Sequence, residues 1–291
     1  MSAIKDGISI TLKGIMLNIA LLLIKGTAGI LGNSYALIAD AIESSSDIFT
    51  SLIVWIGLKT AAREPDEDHP YGHGKAEPIA AMFVALILVI AAIVISIQAI
   101  HYILTPHQSP APFTAVVLLA VVIVKEWMYR KTQKVASKIN STAVAADAWH
   151  HRSDAFTSFT ALIGIIVAIV MGKGYESADD WAALIAACII IANAFYIFKP
   201  ALYEIMDSAP PPELIAEVRR IAISVPQVNG LDKCLIRKMG VQYYVDIHII
   251  VDEHLTVREG HRIAHAVKDE IMQQLPQIAD VLTHIEPSKK A

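Results

Sequence analysis

Six stretches of this sequence are long and apolar enough to cross a bilayer as helices, at about 9–31, 35–60, 78–104, 110–129, 141–171 and 179–206. A crossing takes about 20 predominantly apolar residues. Charge is scarce where these stretches lie. Only 31 of the first 210 residues are Asp, Glu, Lys or Arg, against 21 of the last 81. Soluble domains carry roughly 25% charged residues, so the first part departs from that norm and the last part does not. We expect an α-helical membrane protein, a six-transmembrane-helix bundle over residues 1–207, followed by a cytoplasmic domain over 208–291. The net charge of −4 excludes a generally basic nucleic-acid binder. The two cysteines, Cys188 and Cys234, cannot build a disulfide framework or a cysteine-based zinc site. Cys188 lies in an apolar run and reads as a buried small hydrophobe. The N-terminus lacks the layout of a cleaved signal peptide, so the first apolar stretch reads as a retained span.

Basic residues set the orientation of a multi-span chain. With the N-terminus inside, the inner segments hold Lys5 and Lys13, then Lys59, Arg63 and Lys75, then Lys125, Arg130, Lys131, Lys134 and Lys138, whereas the outer loops hold only Lys173. Both termini are therefore predicted to be cytoplasmic, in a plasma (inner) membrane.

The charges inside the apolar stretches are ordered. Residues 33–49 (NSYALIADAIESSSDIF) and 140–156 (NSTAVAADAWHHRSDAF) are identical at nine of 17 positions with an offset of 107. Under the topology above the two copies cross in opposite directions. Such an inverted repeat places the substrate site of a transporter at the repeat interface. Positions i, i+3 and i+7 share a helix face, so Asp40, Glu43 and Asp47 form one stripe and Asp147, His150 and Asp154 another. At about 1.5 Å per residue, the Glu43/Asp47 and His150/Asp154 pairs reach roughly 14–20 Å in from opposite faces of a hydrocarbon core about 30 Å thick. The stripes thus meet near the midplane. Carboxylates there are costly, at least about 2.5–3.5 kcal/mol each, and a divalent cation relieves both burial and mutual repulsion. Glu43, Asp47, His150 and Asp154 supply four ligands for a borderline metal such as Zn²⁺. A metal-free network of interhelical hydrogen bonds is the competing structural account. Asp40 and Asp147 sit one turn away, either as pathway groups beside the ligands or as helix-start carboxylates near water.

With these residues in place, the chain resembles the cation diffusion facilitator family of divalent metal/proton antiporters, in its bacterial ferrous-iron/zinc efflux branch. The resemblance is carried by the six spans, Glu43-x-x-x-Asp47, His150-x-x-x-Asp154, the loop Asp66-Glu-Asp-His69-Pro-Tyr-Gly-His73-Gly-Lys-Ala-Glu77 and the C-terminal domain. Family members often have His or Asp where Glu43 stands. The resemblance implies a homodimer that exports metal from the cytoplasm in exchange for protons by alternating access around the midplane site. The residues give their own reason for coupling, because metal ligands must be deprotonated and binding therefore releases protons. Zn²⁺ is the first choice of cargo, with Fe²⁺, Co²⁺, Cd²⁺ or Mn²⁺ open. The divalent ion is expected both as substrate and as regulatory ligand.

Asp66, His69 and His73 offer three ligand-type side chains within eight residues, and the resemblance marks them as an accessory metal site. It also pairs Lys75 with an acid after the sixth span, a place that Asp207 occupies. Beyond Asp207, Pro210-Pro-Pro212 ends the last span. The remaining sequence reads α-β-β-α-β: a helix at about 212–224, strands at about 228–238 and 241–251, a helix at about 256–274 and a strand at about 279–286. In the second strand Tyr243, Val245, Ile247, Ile249 and Val251 alternate toward a core, with Asp246 and His248 facing away. This is a ferredoxin-like α/β module resembling the family's dimerising, metal-sensing domain. Its ligand candidates are Asp232, His248, His261, His284 and Glu286.

Two other functions compete. An intramembrane zinc protease is expected to carry His-Glu-x-x-His or a related motif, and no His-Glu pair occurs in the sequence. A membrane-bound metal sensor would have no need of ligands at the bilayer midplane.

Overall fold

Buried charge does not interrupt the long helices. A computed structural model describes residues 2–31, 35–105, 111–171 and 178–288. Its first part consists of α1 (Ser2–Leu31), α2 (Tyr35–Ala61), α3 (Ala76–Leu104), α4 (Phe113–Ile139), α5 (Thr142–Met171) and α6 (Ala178–Ile205). Each has 27 to 30 residues, about 40 Å at 1.5 Å per residue. Among the described residues, Lys5–Ala28, Ala76–His101 and Ala187–Ile205 combine spanning length with apolar composition. The other three helices are less apolar because they carry lysines, acids and histidines.

α4 extends well past the expected stop near residue 129, because Lys125 points inward and does not mark a water boundary. Lys125 is fully buried, which corrects its assignment to the inner, water-facing segments. Cys188 departs from expectation in the other direction and is exposed on α6.

The helices meet through small residues. Val54, Leu58, Ala81, Val84, Ala85, Leu88, Ala143, Val144, Ala187, Ala194 and Ala201 form one apolar cluster. Without a hydrophobic drive between helices in lipid, close backbone approach is what small residues supply. A Cβ built on Gly57 of α2 would stand 2.5 Å from the Cβ of Ala80 in α3, so the α2–α3 contact requires glycine. Between α4 and α5, Asn140 takes a left-handed conformation with φ 55° and its N–H donates to the Ala136 carbonyl. The hydroxyl of Ser141 accepts from the Val144 N–H at 3.1 Å and caps α5. The repeated Asn-Ser dipeptide therefore has a local task in its second copy; its first copy, Asn33-Ser34, lies outside the described residues.

The repeat runs further than its sequence identity. The buried face of α1 is Gly7, Thr11, Gly14, Asn18, Leu21 and Lys25. That of α4 includes Thr114, Leu118, Val121, Lys125, Met128 and Thr132. Each residue of the second set stands 107 positions after its counterpart, the offset that relates Asp47 to Asp154.

The chain divides into two units, Met1–Leu202 and Tyr203–Ala291. The second contains α7 (Pro212–Ser224), β1 (Gly230–Met239), β2 (Gln242–Val251), α8 (Val257–Gln274) and β3 (Ile278–Pro287). The sheet order is β1-β2-β3, with β1 antiparallel and β3 parallel to β2. Tyr243, Val245, Ile247, Ile249 and Val251 are buried in alternation along β2 and pack with Val218 and Ile221 of α7 and Ile263, Val267 and Ile271 of α8. Thr256 and Glu259 form a reciprocal capping box that starts α8. The opposite sheet face carries the polar residues of β2 and β3.

Candidate metal centre

The repeat stripes of α2 and α5 converge. Asp47, His150 and Asp154 each present a ligand-type atom within 4.8 Å of the others. Asp47 and His150 are buried, with side chains 4% and 5% exposed, and Asp154 is partly open at 14%. His150 Nε2 lies 3.2 Å from Asp47 Oδ1, and Nδ1 lies 3.9 Å from Asp154 Oδ1. Neither ring nitrogen has a well-directed hydrogen bond among the described residues. Buried polar atoms without hydrogen-bond partners are rare, and two carboxylates and an imidazole with free lone pairs suit a divalent cation. Glu43, the fourth expected ligand, has its backbone in α2; its side chain, like that of Asp40, lies outside the described residues.

Three further features surround this centre. Lys125 donates to Asp47 Oδ2 and to Asp154 Oδ2, both at 2.8 Å, and to Asn18 Oδ1 at 3.0 Å. Asp147 is buried and accepts from Ser51 Oγ at 2.8 Å, so it is not a helix-start carboxylate near water. His151 is also buried, with its Nε2 3.3 Å from the position of a Cβ on Gly14. The signal that points to Lys125 is the helical spacing Leu118, Val121, Lys125, Met128, in which a lysine continues a buried stripe.

Two further cations are accommodated inside this unit. Lys25 donates to Ser44 Oγ at 2.8 Å. Arg152 lies over the rings of Tyr129, Trp149 and Phe156, 4.6, 5.2 and 5.6 Å from their centroids, and donates to the Tyr129 hydroxyl at 2.9 Å. Aromatic faces offset part of the desolvation of a guanidinium.

The loop candidates converge as well. Asp66 Oδ1 accepts from the His69 N–H at 2.8 Å and lies 3.2 Å from His69 Nδ1, while Asp66 Oδ2 lies 3.3 Å from His73 Nε2. The His69 amide holds the Asp66 carboxyl below the usual carboxylate range. The two imidazoles are 4.4 Å apart. Gly72, at φ +81°, supplies the turn that brings His73 back toward Asp66. This carboxylate between two imidazoles fits a borderline divalent ion.

In the second unit the parallel register sets His248 of β2 beside His284 of β3. Glu286 Oε1 lies 3.1 Å from His248 Nδ1 and 3.5 Å from His284 Nε2, and the two rings are 4.6 Å apart. These three also offer ligand atoms within 4.8 Å of one another. Asp232 and His261 are exposed and do not join this cluster. Asp232 stands where the β1–β2 register shifts. His261 pairs with His265, ring centroids 4.5 Å apart, along a groove of about 550 Å³ between α8 and β3. Lys75 belongs to the first unit and Asp207 to the second.

Two family models together match nearly the whole chain. The one described as "Cation efflux transmembrane domain" matches residues 12–206, and the one described as "Cation efflux protein, cytoplasmic domain" matches residues 210–288. The manganese efflux system protein MneP of Bacillus subtilis is 32% identical over 96% of this chain and 95% of its own length. The magnetosome protein MamB of Paramagnetospirillum magneticum is 28% identical over 94% of this chain and 92% of its own. Among solved structures, a single-residue variant of the MamM CTD aligns with 26% of this chain and 94% of its own, at 23% identity and a TM-score of 0.26.

Proposed function

Because the chain belongs to the cation efflux, or cation diffusion facilitator, family of membrane transporters that expel divalent metal ions, we propose that Glu43, Asp47, His150 and Asp154 form its transport site and that metal leaves the cytoplasm through this site in exchange for protons. Divalent metal efflux is the activity of the family; its members are not enzymes. The observation that carries the site assignment is the convergence of buried Asp47 and His150 with the partly open Asp154, from α2 and α5.

The exchange follows from ligand chemistry. An aspartate or histidine that binds metal must first be free of its proton, so metal and protons compete for the same lone pairs. Protons arriving from one side release the metal, and metal arriving from the other releases the protons. The site opens alternately to the two faces, as the opposed directions of α2 and α5 in a six-span topology with cytoplasmic termini suggest. Zn²⁺ is the first choice of cargo because His150 brings an imidazole to the carboxylates. The manganese in the name of the MneP relative keeps Mn²⁺ beside Zn²⁺ in any competition series, together with Fe²⁺, Co²⁺ and Cd²⁺.

The working protein is read as a homodimer, with a transport domain over 1–207 and a cytoplasmic metal-binding, dimerising domain over 208–291. Asp66, His69 and His73 form an accessory loop site. His248, His284 and Glu286 form the cytoplasmic one. Stopped-flow measurement of Zn²⁺ influx and proton efflux in reconstituted vesicles tests the exchange. Metal flux without a matching proton flux would refute it.

A further inference from the structure

The candidate transport site already holds a cation of the chain's own. The Lys125 side chain is 1% exposed and its ammonium touches Asp47 Oδ2, Asp154 Oδ2 and Asn18 Oδ1 at 2.8, 2.8 and 3.0 Å. An ammonium has three donors and no acceptor, so these three oxygens satisfy it completely. The arrangement draws one acid from α2 and one from α5, with Lys125 on α4 and Asn18 on α1. All four positions are related in pairs by the offset of 107.

A divalent ion bound by the same two carboxylates would sit about 2.0–2.2 Å from their oxygens. It would share these two carboxylates with the ammonium, which holds their Oδ2 atoms while their Oδ1 atoms face His150, and two cations on one pair of carboxylates repel each other at short range. We propose that Lys125 is a tethered competitor of the transported metal, occupying the space between Asp47 and Asp154 in the empty carrier and displaced along α4 when metal binds. This inference rests on the reading of Asp47, His150 and Asp154 as the transport site.

Transport is affected in two ways. The empty carrier keeps Asp47 and Asp154 paired within the membrane, which lowers the cost of unpaired buried charge as it changes orientation. The ammonium also lowers the fraction of carrier ready to accept metal, which weakens the apparent affinity by the same factor and favours release. It acts by its position.

The test is Zn²⁺ and Mn²⁺ binding to the purified full-length protein in lipid nanodiscs. Asp66→Ala, His248→Ala and His284→Ala in the background remove the loop and cytoplasmic clusters. Lys125→Met is expected to bind metal at least about tenfold more tightly than the parent, given the strength of charge repulsion at contact distance, and to release it more slowly into metal-free buffer. Lys125→Arg, whose forked guanidinium holds two carboxylates more firmly, is expected to bind more weakly than the parent. Equal or weaker binding by a folded Lys125→Met protein, or equal or tighter binding by Lys125→Arg, would overturn the inference. If Lys125→Met does not fold, the arginine variant alone decides. Asp154→Ala in the same background separates this from the underlying reading. Undiminished binding in that variant would refute the transport site itself, whereas loss of binding leaves Lys125 as the only point at issue.

Discussion

Asn18 Oδ1 accepts a hydrogen bond from Lys125 Nζ at 3.0 Å, and the two residues occupy equivalent positions of the internal repeat. Residues that touch their own repeat counterparts lie on the axis relating the two halves. The axis of this bundle therefore runs past the candidate metal centre, where Asp47 and Asp154 form the next related pair. The repeat and the site are one arrangement: inverting a two-helix unit about this line delivers one aspartate from each copy to the same ammonium.

Asn18→Leu is predicted to destabilise the protein without unfolding it. The change removes one of three acceptors from a buried ammonium, and a hydrogen bond to a charged group contributes about 1.5–3 kcal/mol. A lowered midpoint of thermal unfolding in detergent is the expected result, with metal flux retained.

Ser51→Ala is predicted to act in the same direction through Asp147. Asp147 Oδ2 has no hydrogen-bond partner among the described residues, so the Ser51 hydroxyl on Oδ1 is the bond that matters there. Its loss leaves a buried acid unsatisfied, at a cost of about 1–3 kcal/mol. Ser51→Thr, which keeps the hydroxyl, is expected to restore most of the unfolding midpoint.

The extent of the repeat shows what the sequence conceals. Asp47 and Asp154 are legible because acids within apolar stretches are costly, and two at matched positions seldom occur without a shared task. The tail strands are legible because β2 alternates strictly. The equivalence of α1 and α4 is not, because Gly14 and Val121, or Leu21 and Met128, share burial without sharing identity. Lys125 misleads for a physical reason. A lysine near the end of an apolar run ordinarily marks the water boundary, and only the three-dimensional convergence of Asn18, Asp47 and Asp154 supplies oxygens enough to bury one. The loop cluster is readable as a motif, since its three ligands are close in sequence. In the tail, sequence alone does not say that His284 faces His248 while His261 faces the groove beside α8.

That difference predicts an unequal response in the cytoplasmic domain. In full-length protein carrying Asp154→Ala and Asp66→Ala, His284→Ala or Glu286→Ala is expected to lower Zn²⁺ affinity by about tenfold or more, since each removes a ligand from a three-residue cluster. His261→Ala is expected to have a smaller effect. Isothermal titration of the three variants and their parent makes the comparison.

Acid is predicted to loosen the start of α8. The Thr256 side-chain hydrogen bond holds the Glu259 carboxyl below the usual glutamate range. A carboxyl lowered on folding adds stability above its unfolded value, about 4.3, and that contribution disappears as pH falls through the lowered native value. Calorimetry of the full chain should show the tail transition moving down across this acid window. Thr256→Ala, which removes the cap at a cost of about 1 kcal/mol, should lower the transition at neutral pH and flatten that acid response.

The most direct test of the transport site is Zn²⁺ and Mn²⁺ flux into vesicles reconstituted with wild-type protein, Asp47→Ala or Asp154→Ala, with dimer content and far-UV circular dichroism checked in each. We predict saturable flux in the wild type and none in either folded variant. Wild-type flux in either would contradict the assignment of the paired aspartates to the path of the metal.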